Sequence, residues 1–391
     1  MRLWFLLGAM WMAPMLPCAA HSGEPQAVVD AGAGGGLAAV ERCVTAYAAT
    51  VERAYSATAE AARRMRAAIE AFCAAPSQEG LERARTTWIA ARELYGRTEA
   101  FRFGNGPIDS TRGGVETFVN AWPVDESYID AIDGAAAPGI IANPSKYPSV
   151  GKAILRVHNQ RGGETNVCTG WHAIEFLLWG QDRSPRGPGD RSFRDFVDGA
   201  ADHADRRREF LLEVTDLLCD DLAKLESAWA DRPGSYRSRF VADRQAALRS
   251  VLCGVALLSG FEMSGERLAA ALESRDQEQE HSCFSDTTDR DFKAGLAGIA
   301  VVLRGVNDDG VIAVVRERDG AAAQALVRAL AHAETCMQAM PHPFDAAIQS
   351  SESSPERGRL VAIMESLESL SEATTAAARA LGYTLPTEPQ G

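Results

Sequence analysis

Apolar residues recur at three- and four-residue steps along most of this chain, the spacing of one face of a helix. Leu37, Val40, Val44, Tyr47, Val51 and Tyr55 begin such a run, which continues through Met65, Ile69 and Phe72 and stops before Pro76. A second run from about Ser77 carries Leu81, Ala84, Trp88, Ala91, Tyr95 and Thr98. After Phe103 the periodicity fails. GNGPIDSTRGG and WPVDESYID are followed by a stretch broken by Pro138, Pro144 and Pro148, which predicts loops and short elements of the kind that carry function. The segment TGWHAIEFLLWGQD, residues 169–182, differs from both patterns. Its Trp171, Ile174, Phe176, Leu177, Leu178 and Trp179 point in nearly every direction around a helix axis, so this helix is predicted to be buried on all sides, with Gly180 as its C-cap. RSPRGPGDRS, residues 183–192, reads as a linker. A long helix is expected to carry Phe193, Phe196, Val197, Phe210, Leu211, Val214, Leu218, Leu222 and Leu225, followed by another from Tyr236 to about Glu280. Further helices are expected at 289–303, 321–340 and 355–381, with PHPFD, residues 341–345, as a break. No stretch alternates with period two. The pattern therefore predicts an all-α chain of two bundle-like domains, residues 37–185 and 190–385.

Composition adds location and exclusions. With 391 residues, 46% of them hydrophobic, the chain can fill large cores and is not a disordered protein. MRLWFLLGAMWMAPMLPCAAHS places Arg2 before an apolar run that ends in small residues, which predicts a secretory signal over residues 1–20, cleaved after Ala20. Cys18 raises a lipid anchor as the alternative, but Pro17 before it fits a lipobox poorly. Residues 21–36 are Gly- and Ala-rich and read as a flexible leader. The formal charge of −13 becomes −14 without the signal, since Arg2 is its one charged residue. So acidic a chain is unsuited to nucleic acid and suited to cations. Seven cysteines remain after cleavage, with no CxxC, which excludes a zinc ribbon and leaves at least one thiol unpaired. Cys43 and Cys73 cannot pair if a single helix joins them.

The chemistry concentrates in the apolar helix. His172 and Glu175 are three residues apart and share a face, and a buried polar group left unpaired costs about 1–3 kcal/mol. Each needs a partner, a metal or a proton. The preceding helix offers Trp88, Arg92, Tyr95, Glu99 and Arg102 on one stripe, in which Glu99 can stay ionised beside arginines and serve as a further oxygen ligand. His172, Glu175 and Glu99 are thus the candidate metal ligands, a nitrogen and oxygen set suited to iron, zinc, copper or manganese. In EQEHSCFSDTTDRD, residues 278–291, Glu278 and His281 form an ExxH pair, and Ser285, Asp286 and Thr287 suit a helix N-cap. A di-iron centre with two ExxH pairs is disfavoured because the first pair runs HxxE. There is no HExxH, GxSxG, P-loop or dinucleotide fingerprint. His158, His203, His332 and His342 stand alone.

GWHAIEFLLWGQD resembles the GxHxxE signature of the imelysin-like proteins, a family also filed as M75 peptidases and including iron-regulated proteins of bacterial envelopes. WIAARELYGRTEAFRFGNGPID, WPVDESYID, the EHSCFSD block, PHPFD and RALGYTL look like further landmarks of that family, in order, from Trp88 to Leu385. The resemblance implies two related four-helix bundles, as from a duplication, with the functional site in a cleft between them. It also implies a periplasmic or outer-membrane location and a role in iron uptake. Carried over by position, it puts Gly170, His172 and Glu175 in the site and makes Glu99, Arg102, Ser285 and Asp286 cleft residues. Arg92, Asp109, Asp182 and His281 lie in the same landmarks and complete the candidates. Trp171 replaces the expected Tyr or Phe, and Thr287 the expected Asn. The expected function is binding of a metal ion or metal chelate, with an outer-membrane iron receptor or permease as partner. The alternatives are a zinc metallopeptidase, with His172 on the metal and Glu175 as ligand or base, and a structural protein in which the two residues form a buried pair.

Overall fold

The computed structural model describes residues 33–132, 138–184 and 187–389. The expected signal over 1–20, most of the leader over 21–36 and part of the 183–192 linker lie outside these residues. The described chain is helical, with no strand beyond an isolated bridge between Asp198 and Ala201.

Both periodic runs at the start fold as read. They become α1 (Ala33–Ala74) and α2 (Gln78–Thr98), the second capped by the Ser77 hydroxyl, which accepts from the Gly80 amide. The apolar segment becomes α3 (Gly170–Trp179), every residue of which is buried. Next comes α4 (Ala204–Trp229). It runs antiparallel to α1: Tyr47 meets Trp229 with ring centroids 6.1 Å apart, Arg66 Nε lies 2.7 Å from Asp216 Oδ1, and Phe72 meets Phe196 at 4.8 Å. Since α3 packs on both α2 and α4, these four helices close a ring. The division expected near residue 185 is therefore displaced: α4, assigned by pattern to the second domain, completes the first bundle. Its buried Phe210, Leu211, Val214, Leu218, Leu222 and Leu225 are the stripe that α1 and α3 require. Phe193 and Phe196, expected in the same helix, fall in a short 3-10 turn before it.

The second bundle comprises α5 (Arg244–Ser274), α6 (Thr288–Arg304), α7 (Val311–Arg318), α8 (Gly320–Gln338) and α9 (Pro355–Ala380). The single helix expected from Tyr236 to about Glu280 is interrupted. A short helix Tyr236–Ala242 stops at Asp243, whose side chain caps α5 by accepting from the Ala246 amide. Inside α5 the stretch Leu257–Ala269 is π-helical, a wider winding that places residues five apart on one face. By length and hydropathy α5 could cross a membrane, yet 67% of its most apolar window is buried within the fold. The α7 helix was not expected from the sequence.

The bundles meet where α2 lies on α6 and α1 on α7. The approach of α2 and α6 is close enough that a Cβ on Gly298 would sit 2.3 Å from the Arg97 carbonyl oxygen. Trp88, Trp171 and Trp179 fill the ring beside this seam, with Trp88 centred 6.2 and 5.3 Å from the other two. All seven described cysteines are unpaired, Cys43 and Cys73 at opposite ends of α1.

Candidate functional site

The GxHxxE motif and the EHSCFSD block come from different bundles and meet at the seam. α3 begins at Gly170 with φ +81°, where a Cβ would lie 2.4 Å from the Val119 carbonyl oxygen. Glycine is therefore required here by the close backbone approach and the positive φ. One turn into the helix, His172 Nδ1 lies 2.9 Å from Glu175 Oε2. The other carboxylate oxygen accepts from the Ser285 amide at 3.0 Å and from the Ser285 hydroxyl at 2.6 Å. Ser285 Oγ also pairs with Thr287 Oγ1 at 2.8 Å, so threonine fills a hydrogen bond where asparagine was expected. Burial pushes the Glu175 carboxyl up to about 8 against the pull of Ser285 and Arg92. Burial and then Arg92 hold the His172 imidazole well below its usual range, so both members of the pair are pushed toward their neutral forms.

Arg92 is the hub of what surrounds them. Its guanidinium donates to Asp291 at 3.1 and 3.2 Å and to Asn120 Oδ1, and lies 3.5 Å from His172 Nε2 and 3.1 Å from His281 Nδ1. His281 Nδ1 is 2.8 Å from Asp291 Oδ2, which also accepts from the Ser282 hydroxyl at 2.6 Å, and the two imidazoles have centroids 4.7 Å apart. Asn120 Nδ2 donates to Glu99 Oε1 at 3.1 Å, while Glu99 Oε2 is 2.9 Å from Arg267 Nη1. Arg267 in turn grips Glu262, five residues back on the π-helical stretch, at 2.7 and 3.1 Å. Burial would raise every one of these acids, but Arg267, Arg102 and Arg92 outweigh it. Glu262 is held at about 2, Glu99 is lowered, and Asp291 lies well below the carboxylate range.

Arg102 reaches Glu116 at 3.2 Å and Glu262 at 3.5 Å, and with Asp109 it lines a cavity of about 680 Å³. The structure therefore joins eight sequence-named residues through two connected places: the His172, Glu175, Arg92, His281, Ser285 and Glu99 network, and the cavity with Arg102 and Asp109. Asp182 and Asp286 belong to neither. Both lie with Asp345 in a separate acidic nest.

His172, Glu175 and Glu99 do not form an open coordination shell as arranged. Both Glu175 oxygens are engaged, Glu99 is held by Asn120 and Arg267, and the Arg92 guanidinium occupies the space before His172 Nε2. These residues as placed fit a bare cation poorly, because a permanently charged guanidinium already stands there. Sequence reasoning did not single out Arg267, Asn120 or Glu262. Asp291 and Asp345 stood inside quoted segments without a role.

Residues 51–374 match the family described as Imelysin, peptidase M75. The chain belongs to the imelysin family. Among relatives of this imelysin-family chain, the iron-regulated protein A of Synechococcus elongatus is 24% identical over 312 residues, covering 76% of this chain and 74% of that one. Among solved structures, a Parabacteroides distasonis chain described as a candidate iron-regulated protein A precursor aligns with a TM-score of 0.69 at 15% identity, over 88% of this chain and 95% of its own. An imelysin-like protein from Psychrobacter arcticus aligns with a TM-score of 0.63 at 13% identity, over 89% and 97%. At those identities the likeness concerns the fold.

Proposed function

We propose that this imelysin-family chain is an exported, non-catalytic binding protein of bacterial iron handling. Its ligand is a metal-bearing molecule taken at the bundle junction, with the cavity beside Arg102 and Asp109 as the place of uptake. The observation that carries the reading is the saturation of the GxHxxE carboxylate, with Oε2 on His172 and Oε1 on Ser285. A peptidase needs a carboxylate free to take a proton from water and a metal with an open position. Glu175 has no free oxygen, and Arg92 stands where the ion would. A 680 Å³ cavity with both charge signs on its wall suits a polar chelate, and the name of the cyanobacterial relative supports the link with iron.

Iron supplied as ferric citrate, measured on the desalted mature protein, tests this directly. Wild type is expected to retain iron stoichiometrically, and Arg102→Ala and His172→Ala to lose most of it. Equal, near-zero retention by all three sinks the proposal. Chelator-sensitive cleavage of a protein substrate that disappears in Glu175→Gln would establish the metallopeptidase instead.

A further inference from the structure

The segment that brings Ser285 to Glu175 sends its next residue the opposite way. Asp286, held at φ +52°, comes together instead with Asp182, from the loop after α3, and Asp345, from the PHPFD turn. All three are buried, at 4%, 4% and 0% exposure, and one ligand oxygen from each lies within 4.8 Å of the others. The distinctive feature is what they lack. Neither oxygen of Asp286, nor Oδ2 of Asp182, nor Oδ2 of Asp345 has a hydrogen-bond partner. Glu280, 1% exposed, adds two more carboxylate oxygens without one, and the Thr288 hydroxyl is the neighbour that favours its charged form.

Buried carboxylates ordinarily have donors or cations, since an unpaired buried charge is among the costliest things a fold can hold. The junction a few residues away obeys this with Arg92, Arg102 and Arg267. In the nest the groups acting on Asp286 are Asp345, Asp182 and Asp289, all acids, and burial pushes its carboxyl up to about 7. Asp182 goes to about 6, chiefly by burial, and the exposed His342 is the positive group acting on Asp345. No ion pair reaches Asp182, Asp286, Asp345 or Glu280 among the described residues.

We infer that Asp182, Asp286 and Asp345, with Glu280 beside them, form a binding site for a hard divalent cation, and that calcium is the ion it fits. The donor set is oxygen only, which selects against ions that prefer nitrogen or sulfur. Calcium takes six to eight oxygens at about 2.3–2.6 Å in a flexible geometry, which acids from separate turns with oxygens within 4.8 Å of one another can begin to supply. Magnesium demands a near-regular octahedron and gives up its water reluctantly, so it is the poorer match to a buried, all-protein set of acids. The ion replaces the missing donors. Through the peptide bond from Asp286 to Ser285 it also fixes the serine that grips Glu175, making this a positioning site for the junction.

Calorimetric titration of the full mature protein, stripped with chelator and dialysed, tests the assignment with calcium chloride, and separately with magnesium and manganese chlorides. One calcium per chain is expected, with affinity at least tenfold weaker in Asp286→Asn and in Asp345→Asn. Circular dichroism melting in chelator verifies that both asparagine variants are folded; if the fully buried Asp345→Asn is not, Asp286→Asn decides. Absence of one-to-one calcium binding, wild-type calcium affinity in the folded asparagine variants, or tighter binding of magnesium or manganese each overturns it. The outcome is separable from the iron reading: loss of ferric citrate with calcium retained removes only the latter, and the reverse only this site.

Discussion

Two buried clusters of acids lie on either side of one short loop, and they resolve the same electrostatic problem in opposite ways. At the bundle junction Glu99, Glu262 and Asp291 each face an arginine within 3.1 Å, and their carboxyls sit below the ordinary range although burial alone would raise them. In the nest Asp182, Asp286 and Glu280 face one another, and theirs are raised. Burial is common to both, so burial does not explain the difference. The supply of cations does: one cluster carries its own, while the other is complete only with a charge from outside.

The largest test of that contrast removes an internal cation. Arg267→Ala leaves the buried Glu99 and the half-buried Glu262 without their main partner and should cost about 3–5 kcal/mol in chemical denaturation; a loss under about 1 kcal/mol would erase the distinction. Acid probes the same cluster without mutation. Glu262, held at about 2 against an ordinary 4.5, contributes stability that is fully present above the unfolded value and is lost as pH falls through that window. The contribution is on the order of 3 kcal/mol. The slope of stability against pH between about 5 and 2 should flatten in Glu262→Gln, and an unchanged slope would show that Glu262 is not the group responsible. Smaller is the effect expected at the hinge between the clusters. Ser285→Ala keeps the amide bond to Glu175 and loses the hydroxyl, which should cost about 1–3 kcal/mol by the same measurement. Smallest of all, Asp286→Asn in chelator should change stability by less than about 0.5 kcal/mol or raise it, because it removes an unpaired acid and asparagine tolerates a positive φ. A substantial loss there would mean that the nest, like the junction, is already satisfied.

How much of this was legible in the chain follows from the range over which each feature is built. The α1 and α2 stripes, the all-round burial of α3 and its end at Gly180 are local, and periodicity finds them. The Trp88 to Arg102 stripe does face inward, with Arg92 and Glu99 buried on it. Glu99 reads from the sequence as an acid kept ionised beside Arg92 and Arg102; its direct partner, Arg267, is not legible, because it lies far along the chain and reaches it from a π-helical stretch, where the familiar three- and four-residue spacing does not hold. The α4 assignment failed for a related reason: an apolar stripe states that a helix has a neighbour without saying which one. Asp182 and Asp286 were singled out individually. Their meeting with Asp345 could not be read, because three distant turns converge there and no spacing records it.

The tryptophans beside the seam give the molecule an optical consequence. Trp88 Nε1 donates to the Trp171 carbonyl at 3.1 Å, and Tyr95 stacks obliquely on Trp171 at 5.5 Å. Trp171 is the residue directly before His172. A change at His172 that moves the first turn of α3 carries with it the carbonyl that anchors Trp88 and the indole pairs on either side. The chain's own fluorescence and near-ultraviolet dichroism therefore report what happens at the motif, with no label attached.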